Sequence, residues 1–170
     1  SRRWSPATKA RFSRSDPIGM ISPEVRTCST RAPRSISTWA AMPNALAVLA
    51  AAPQGGLLKA PDLYMDKLAI GPGYERGAVD LDAGAAENAV RLARAKGVDV
   101  REITVCVLDR PRHEKIIAEL RKVGARINLI SDGDVAGVIS TAMPETGVDM
   151  YVGQGKAPEG VLAAAALRCV

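Results

Sequence analysis

Residues 103–139, ITVCVLDRPRHEKIIAELRKVGARINLISDGDVAGVI, decide the fold class. Ile103–Leu108 is a short apolar run rich in β-branched side chains, the composition of a strand. Arg112–Val123 carries Ile116, Ile117, Leu120 and Val123 at helical spacing. Arg126–Ile130 predicts a second strand and Val135–Ala142 a second helix. A third unit follows, with a strand at Val148–Val152 and a helix from Glu159 to the end. Strands and helices alternating at this spacing predict an α/β fold, a mainly parallel sheet with helices packed on it.

Working toward the N-terminus, Ala45–Ala52 is an apolar run closed by Pro53-Gln54-Gly55-Gly56, which predicts a buried strand and a turn. Tyr64–Ile70 alternates as a strand and ends at Gly71-Pro72-Gly73. Ala85–Lys96 predicts a helix with Ala86, Ala89, Val90 and Ala93 on one stripe and Gly97 as its stop.

Residues 1–41 read differently. They hold Arg2, Arg3, Lys9, Arg11, Arg14, Arg26, Arg31 and Arg34 against Asp16 and Glu24, a net +6. The other 129 residues carry 15 basic and 16 acidic side chains, so the chain's +5 lies wholly in its first quarter. Apolar residues appear there singly, with no period, and bury too little to offset the entropy of ordering. The expectation is a disordered or aberrant basic segment over 1–41, of the kind an out-of-frame translation of a GC-rich gene produces. A basic tail for an acidic partner is the alternative. Residues 42–170 are then one partial α/β domain.

Composition removes several classes of function. The near-neutral remainder and an aromatic content of 4% give no footprint or stacking platform for nucleic acid. The longest apolar runs, 45–52 and 161–167, fall well short of the ~20 residues of a membrane span. A single histidine, His113, excludes multi-histidine metal sites. Cys28, Cys106 and Cys169 are odd in number and far apart, which predicts no disulfide framework and suits a cytoplasmic location. Cys106 in a strand and Cys169 in a helix read as core residues.

In open α/β sheets ligands bind beyond the carboxyl ends of the strands. The three loops expected there carry concentrated polar chemistry: Asp109-Arg110-Pro111-Arg112-His113, Ser131-Asp132-Gly133-Asp134 and Gly153-Gln154-Gly155-Lys156-Ala157-Pro158-Glu159. Arg110 and Arg112 flank a proline, and guanidinium forks grip phosphate oxygens in pairs. The plainer alternative pairs Arg112 with a nearby acid and has Asp109 cap the helix. Asp132 and Asp134 around a glycine suit sugar hydroxyls or a hard cation, against a turn with Asp134 as N-cap. Glu159 reads either as a dipole-favoured first-turn acid or as a metal ligand. His113 reads as a surface or supporting residue rather than a general base. Gly153-Gln154-Gly155-Lys156 is no phosphate-binding P-loop, because Ala157 stands where Ser or Thr is required.

These residues resemble the class II fructose-1,6-bisphosphatases of bacteria, related to the fructose-1,6/sedoheptulose-1,7-bisphosphatases. The matching strings are PNALAVLA at 43–50, LLKAPDLYMDKLAIGPG at 57–73, RPRH at 110–113, ISDGDVA at 130–136 and APEGVLAAAALR at 157–168. The resemblance implies a layered sugar-phosphatase-like fold and metal-dependent hydrolysis of the 1-phosphate of fructose 1,6-bisphosphate in gluconeogenesis. It implies substrate contacts from Tyr64, Arg110, Pro111, Arg112, Asp132, Gly133 and Asp134, with Glu159 as a ligand for Mn2+ or Mg2+. Lys156 stands at a substrate-contacting position where similar sequences have glycine. No catalytic residue is singled out. The resemblance also implies a sugar bisphosphate as partner, no nucleic acid or membrane, and a homo-oligomer for full-length members. The family's upstream Asp-Pro-x-Glu-Gly-Thr metal motif has no counterpart in residues 1–41, where Asp16-Pro17-Ile18-Gly19 lacks the glutamate. The chain therefore looks like a truncated piece, expected to be inactive. The alternative is a non-catalytic sugar-phosphate-binding α/β module.

Overall fold

The computed structural model describes the backbone of residues 9–12, 26–30 and 47–170, and side chains over 48–170. Its strands are β1 (Lys9–Phe12), β2 (Arg26–Thr30), β3 (Ala47–Ala51), β4 (Tyr64–Ile70), β5 (Thr104–Leu108), β6 (Arg126–Ile130) and β7 (Met150–Lys156). The helices are α1 (Ala85–Lys96), α2 (Glu114–Val123), α3 (Asp134–Ser140) and α4 (Ala157–Cys169). The principal sheet runs β1-β4-β7-β5-β6, and β2 and β3 form a separate antiparallel pair. Only β4–β7 is antiparallel within the larger sheet; β1–β4, β5–β7 and β5–β6 are parallel. The expected α/β architecture with a mainly parallel sheet is thus what the chain adopts. Of residues 1–41, the structure describes two short strands, and the rest of that expectation lies outside the described residues.

Alternation along the strands divides the core in two. Leu68, Val105 and Val107 point to one face, where Ala89 and Leu92 of α1 and Ile117 and Leu120 of α2 cover them. Ala69, Cys106 and Tyr151 point to the other, under Val135 and Val138 of α3 and Ala163, Ala164 and Leu167 of α4. Gly97 terminates α1 in the left-handed region at φ 73°, as its sequence position predicts.

Several expectations are corrected. Gly153–Lys156 is not a loop but the second half of β7, paired along its length with β4. The strand begins at Met150 rather than Val148, because the Asp149 carboxylate turns aside to accept from the Thr104 N–H and Lys96 Nζ. The Ala47–Ala51 strand is not buried: among the described residues it pairs with β2 alone, and Leu49 is 68% exposed. Cys106 is buried as expected, whereas Cys169, at the last turn of α4, is exposed. No helix among the described residues is long and apolar enough to cross a membrane.

Candidate functional site

The carboxyl end of β5 and the end of β7 enclose a pocket of about 180 Å³. Tyr64, Leu108, Arg110, Arg112, Asp132, Asp134, Gly155, Lys156 and Glu159 line it. Seven of the nine residues singled out in the sequence therefore meet at one place. The other two shape its rim: Pro111 opens the short 3-10 turn Pro111–His113, and Gly133 turns the chain into α3 at φ 82°. That φ is one that a side chain rarely tolerates.

The basic wall is held in place by backbone. Arg112 pairs with no acid among the described residues: its Nε and Nη2 donate to the Gln154 carbonyl at 3.2 and 3.0 Å. The same guanidinium lies 5.3 Å from the centroid of the Tyr64 ring, within cation–π range. Arg110 faces Asp132 at 3.7 Å; Asp132 is largely in water, and such a pair contributes little. Lys156 reaches Asp62 at 3.1 Å, and that carboxylate holds its ammonium above the usual lysine range.

His113 is neither at the surface nor free to act as a base. It is wholly buried, with Nδ1–H donating to the Leu108 carbonyl at 2.8 Å and Nε2 accepting from the Gln154 N–H at 2.8 Å. Both nitrogens are used, which fixes a neutral tautomer. The ring ties the Arg110–Arg112 turn to β7, and so sets where Arg112 meets Gln154. Asp109 is not the N-cap; Arg110 occupies that position in the turn that leads into α2.

The acidic floor contains a residue that the sequence reading missed. Lys67, in β4, is 1% exposed and its ammonium bonds directly to Asp134 Oδ2. The same nitrogen is 3.5 Å from Glu159 Oε2. Asp134 is not the N-cap of α3, a position Gly133 holds; it is the first helical residue and points at Lys67. Glu159 Oε2 accepts from the Lys156 N–H at 3.2 Å, which closes the first turn of α4. The signal for Lys67 was in the sequence: Y-M-D-K-L-A-I puts a charge on the strand face shared by Met65 and Ala69, both buried.

The glycines of β7 make room for these groups. A Cβ on Gly155 would come within 2.6 Å of Lys67 Nζ and 2.7 Å of Asp134 Oδ2. One on Gly153 would lie 3.2 Å from His113 Cε1. Beside them Tyr151 is fully buried, and its hydroxyl has no hydrogen-bond partner among the described residues. Burial, with the Asp134 charge second, raises its pKa.

Residues 36–170 match the family described as bacterial fructose-1,6-bisphosphatase, glpX-encoded. Over 127 residues the chain is 48% identical to fructose-1,6-bisphosphatase 1 class 2 of Escherichia coli strain K12. Identity is the same to the class 2 fructose-1,6-bisphosphatases of Escherichia coli O6:H1 and Shigella flexneri. Each match covers 75% of this chain, and the chain spans 38% of the relative's length.

Proposed function

The chain belongs to the bacterial fructose-1,6-bisphosphatase family, and on that premise we propose that its pocket binds fructose 1,6-bisphosphate. The observation that carries this reading is the convergence of Arg110, Arg112 and Lys156 with Asp132, Asp134 and Glu159 on one small cavity. Three cations match phosphate oxygens, and carboxylates beside them match sugar hydroxyls. In this reading Arg112 keeps its Nη1 edge for the ligand while Nε and Nη2 stay on Gln154. Tyr64 stacks on the guanidinium and restricts its swing. Lys156 leaves Asp62 for a phosphate, an exchange between two exposed anions that costs little. Asp132 and Asp134 accept from hydroxyls of the ketose.

The parent activity we assign is hydrolysis of the 1-phosphate, a cytoplasmic step of gluconeogenesis assisted by manganese or magnesium. A divalent ion supplies Lewis-acid polarisation and an activated water in such reactions. Glu159 suits it as one ligand, being half-exposed and in the pocket wall. Asp134 is committed to Lys67, and no group of three His, Cys, Asp or Glu side chains gathers among the described residues. The described donor set does not fit a complete metal centre, so the expected behaviour of this chain is binding without turnover.

Calorimetric titration with fructose 1,6-bisphosphate, with unphosphorylated fructose as control, tests the reading. Saturable binding of the bisphosphate alone is the expected result, with no phosphate released when manganese or magnesium is added. Absence of binding overturns the assignment of the pocket. Sustained phosphate release overturns the expectation that the chain is inactive.

A further inference from the structure

A pocket proposed to admit a phosphate has two carboxylates on its floor, and like charges there oppose an anion. Lys67 is placed to offset this. Its ammonium is buried, bonds to Asp134 and lies 3.5 Å from Glu159, so one cation serves the first turns of both α3 and α4. Its place is sterically prepared, since only a glycine at position 155 leaves space for the Lys67–Asp134 contact against β7. A lysine buried this deeply is rare unless paired, and here the pairing is with pocket-lining groups rather than with a distant structural acid.

We infer that Lys67 is a positioning residue of the pocket: it holds Asp134 and Glu159 side by side and offsets one of their two negative charges so that a phosphorylated ligand is admitted beside them. This rests on the proposed reading of the pocket as a sugar-phosphate site. Lys67 itself is covered and does not touch the ligand. It acts through the two carboxylates, as a fixed internal counter-ion.

The test uses inorganic phosphate and fructose 1,6-bisphosphate as separate titrants, at a temperature where circular dichroism shows each protein folded. Lys67→Met is expected to weaken inorganic phosphate binding at least tenfold, because the net charge of the floor then rises from one negative charge to two. The double variant Lys67→Met/Asp134→Asn removes one charge of each sign and is expected to regain phosphate affinity to within threefold of the unaltered chain. A purely structural lysine predicts a lower melting temperature in Lys67→Met with unchanged phosphate affinity, and that result overturns the proposal. Should Lys67→Met fail to fold, the double variant decides: restored phosphate binding supports the charge role, and weak binding in a folded protein overturns it. An unaltered chain that binds phosphate but not the bisphosphate overturns the sugar assignment while leaving Lys67 testable. A chain that binds neither overturns both.

Discussion

Arg112 shows how little freedom a site residue keeps once its neighbours are counted. The Gln154 carbonyl takes two of its donors, and the Tyr64 ring covers one face of its fork. Lysine is a point charge on a flexible stem, and reproduces neither the paired hydrogen bonds nor the flat face. Arg112→Lys therefore keeps the charge yet loses direction. Hydrogen bonds to charged groups contribute about 1.5–3 kcal/mol, so titration calorimetry should find bisphosphate affinity down roughly ten- to hundredfold with the fold intact. An affinity within twofold of the unaltered chain would remove Arg112 from the site. Cys106 gives a contrasting case, a reactive group silenced by its surroundings. Burial pushes its thiol up to about 11, so almost no thiolate exists at pH 8. Iodoacetamide at that pH should label Cys169 and leave Cys106 unmodified until denaturant is added, as read by peptide mass spectrometry.

Among the elements, α3 depends most sharply on a single missing side chain. Gly137 lies inside it, and a Cβ there would stand 2.9 Å from Ile130 Cδ1 and from the Tyr151 ring. Two effects of Gly137→Ala compete. Alanine gains about 1 kcal/mol of helix propensity, while forcing a methyl into a packed contact costs typically 1–3 kcal/mol. Both neighbours are held, Tyr151 wholly buried and Ile130 within β6 beside β5. The steric term should win, with net destabilisation of about 1–2 kcal/mol in urea unfolding; a stabilised variant would mean that α3 shifts freely on the sheet. The same element scale explains which parts of the fold were legible in sequence. β4, β6 and α1 fall at the residues the sequence predicts, because each is an apolar or periodic run with a clean stop. β7 was misread beyond Val152 because glycine is a weak strand former, and its two glycines serve His113 and Lys67 rather than a turn. The site's loops were legible because arginine and aspartate gather there. For Lys67 the pattern marks a charge on a buried strand face but not its partner, which shows only when another element folds over it.

At the scale of the whole molecule, the pocket's floor and the larger core lie on opposite faces of one sheet. The pocket's floor, with Lys67, Asp134 and Glu159, belongs to the side of α3 and α4. The cluster around Leu92, Ile117, Leu120, Val105 and Val107 belongs to the side of α1 and α2. Leu92 is fully buried there and does not itself line the pocket. Truncating a buried leucine to alanine costs about 2–5 kcal/mol, through lost burial and the cavity left behind. That is a large share of the ~5–15 kcal/mol that holds a domain folded. A rigid sheet between the two faces should confine the damage, because a packed layer that keeps its strand register keeps its pocket groups in place. Leu92→Ala should therefore lower the urea midpoint without changing the slope, while phosphate affinity measured well below the melting temperature stays within twofold. A matched fall in affinity would show that the α1–α2 face helps to shape the pocket, and that stability and binding in this chain cannot be separated by face.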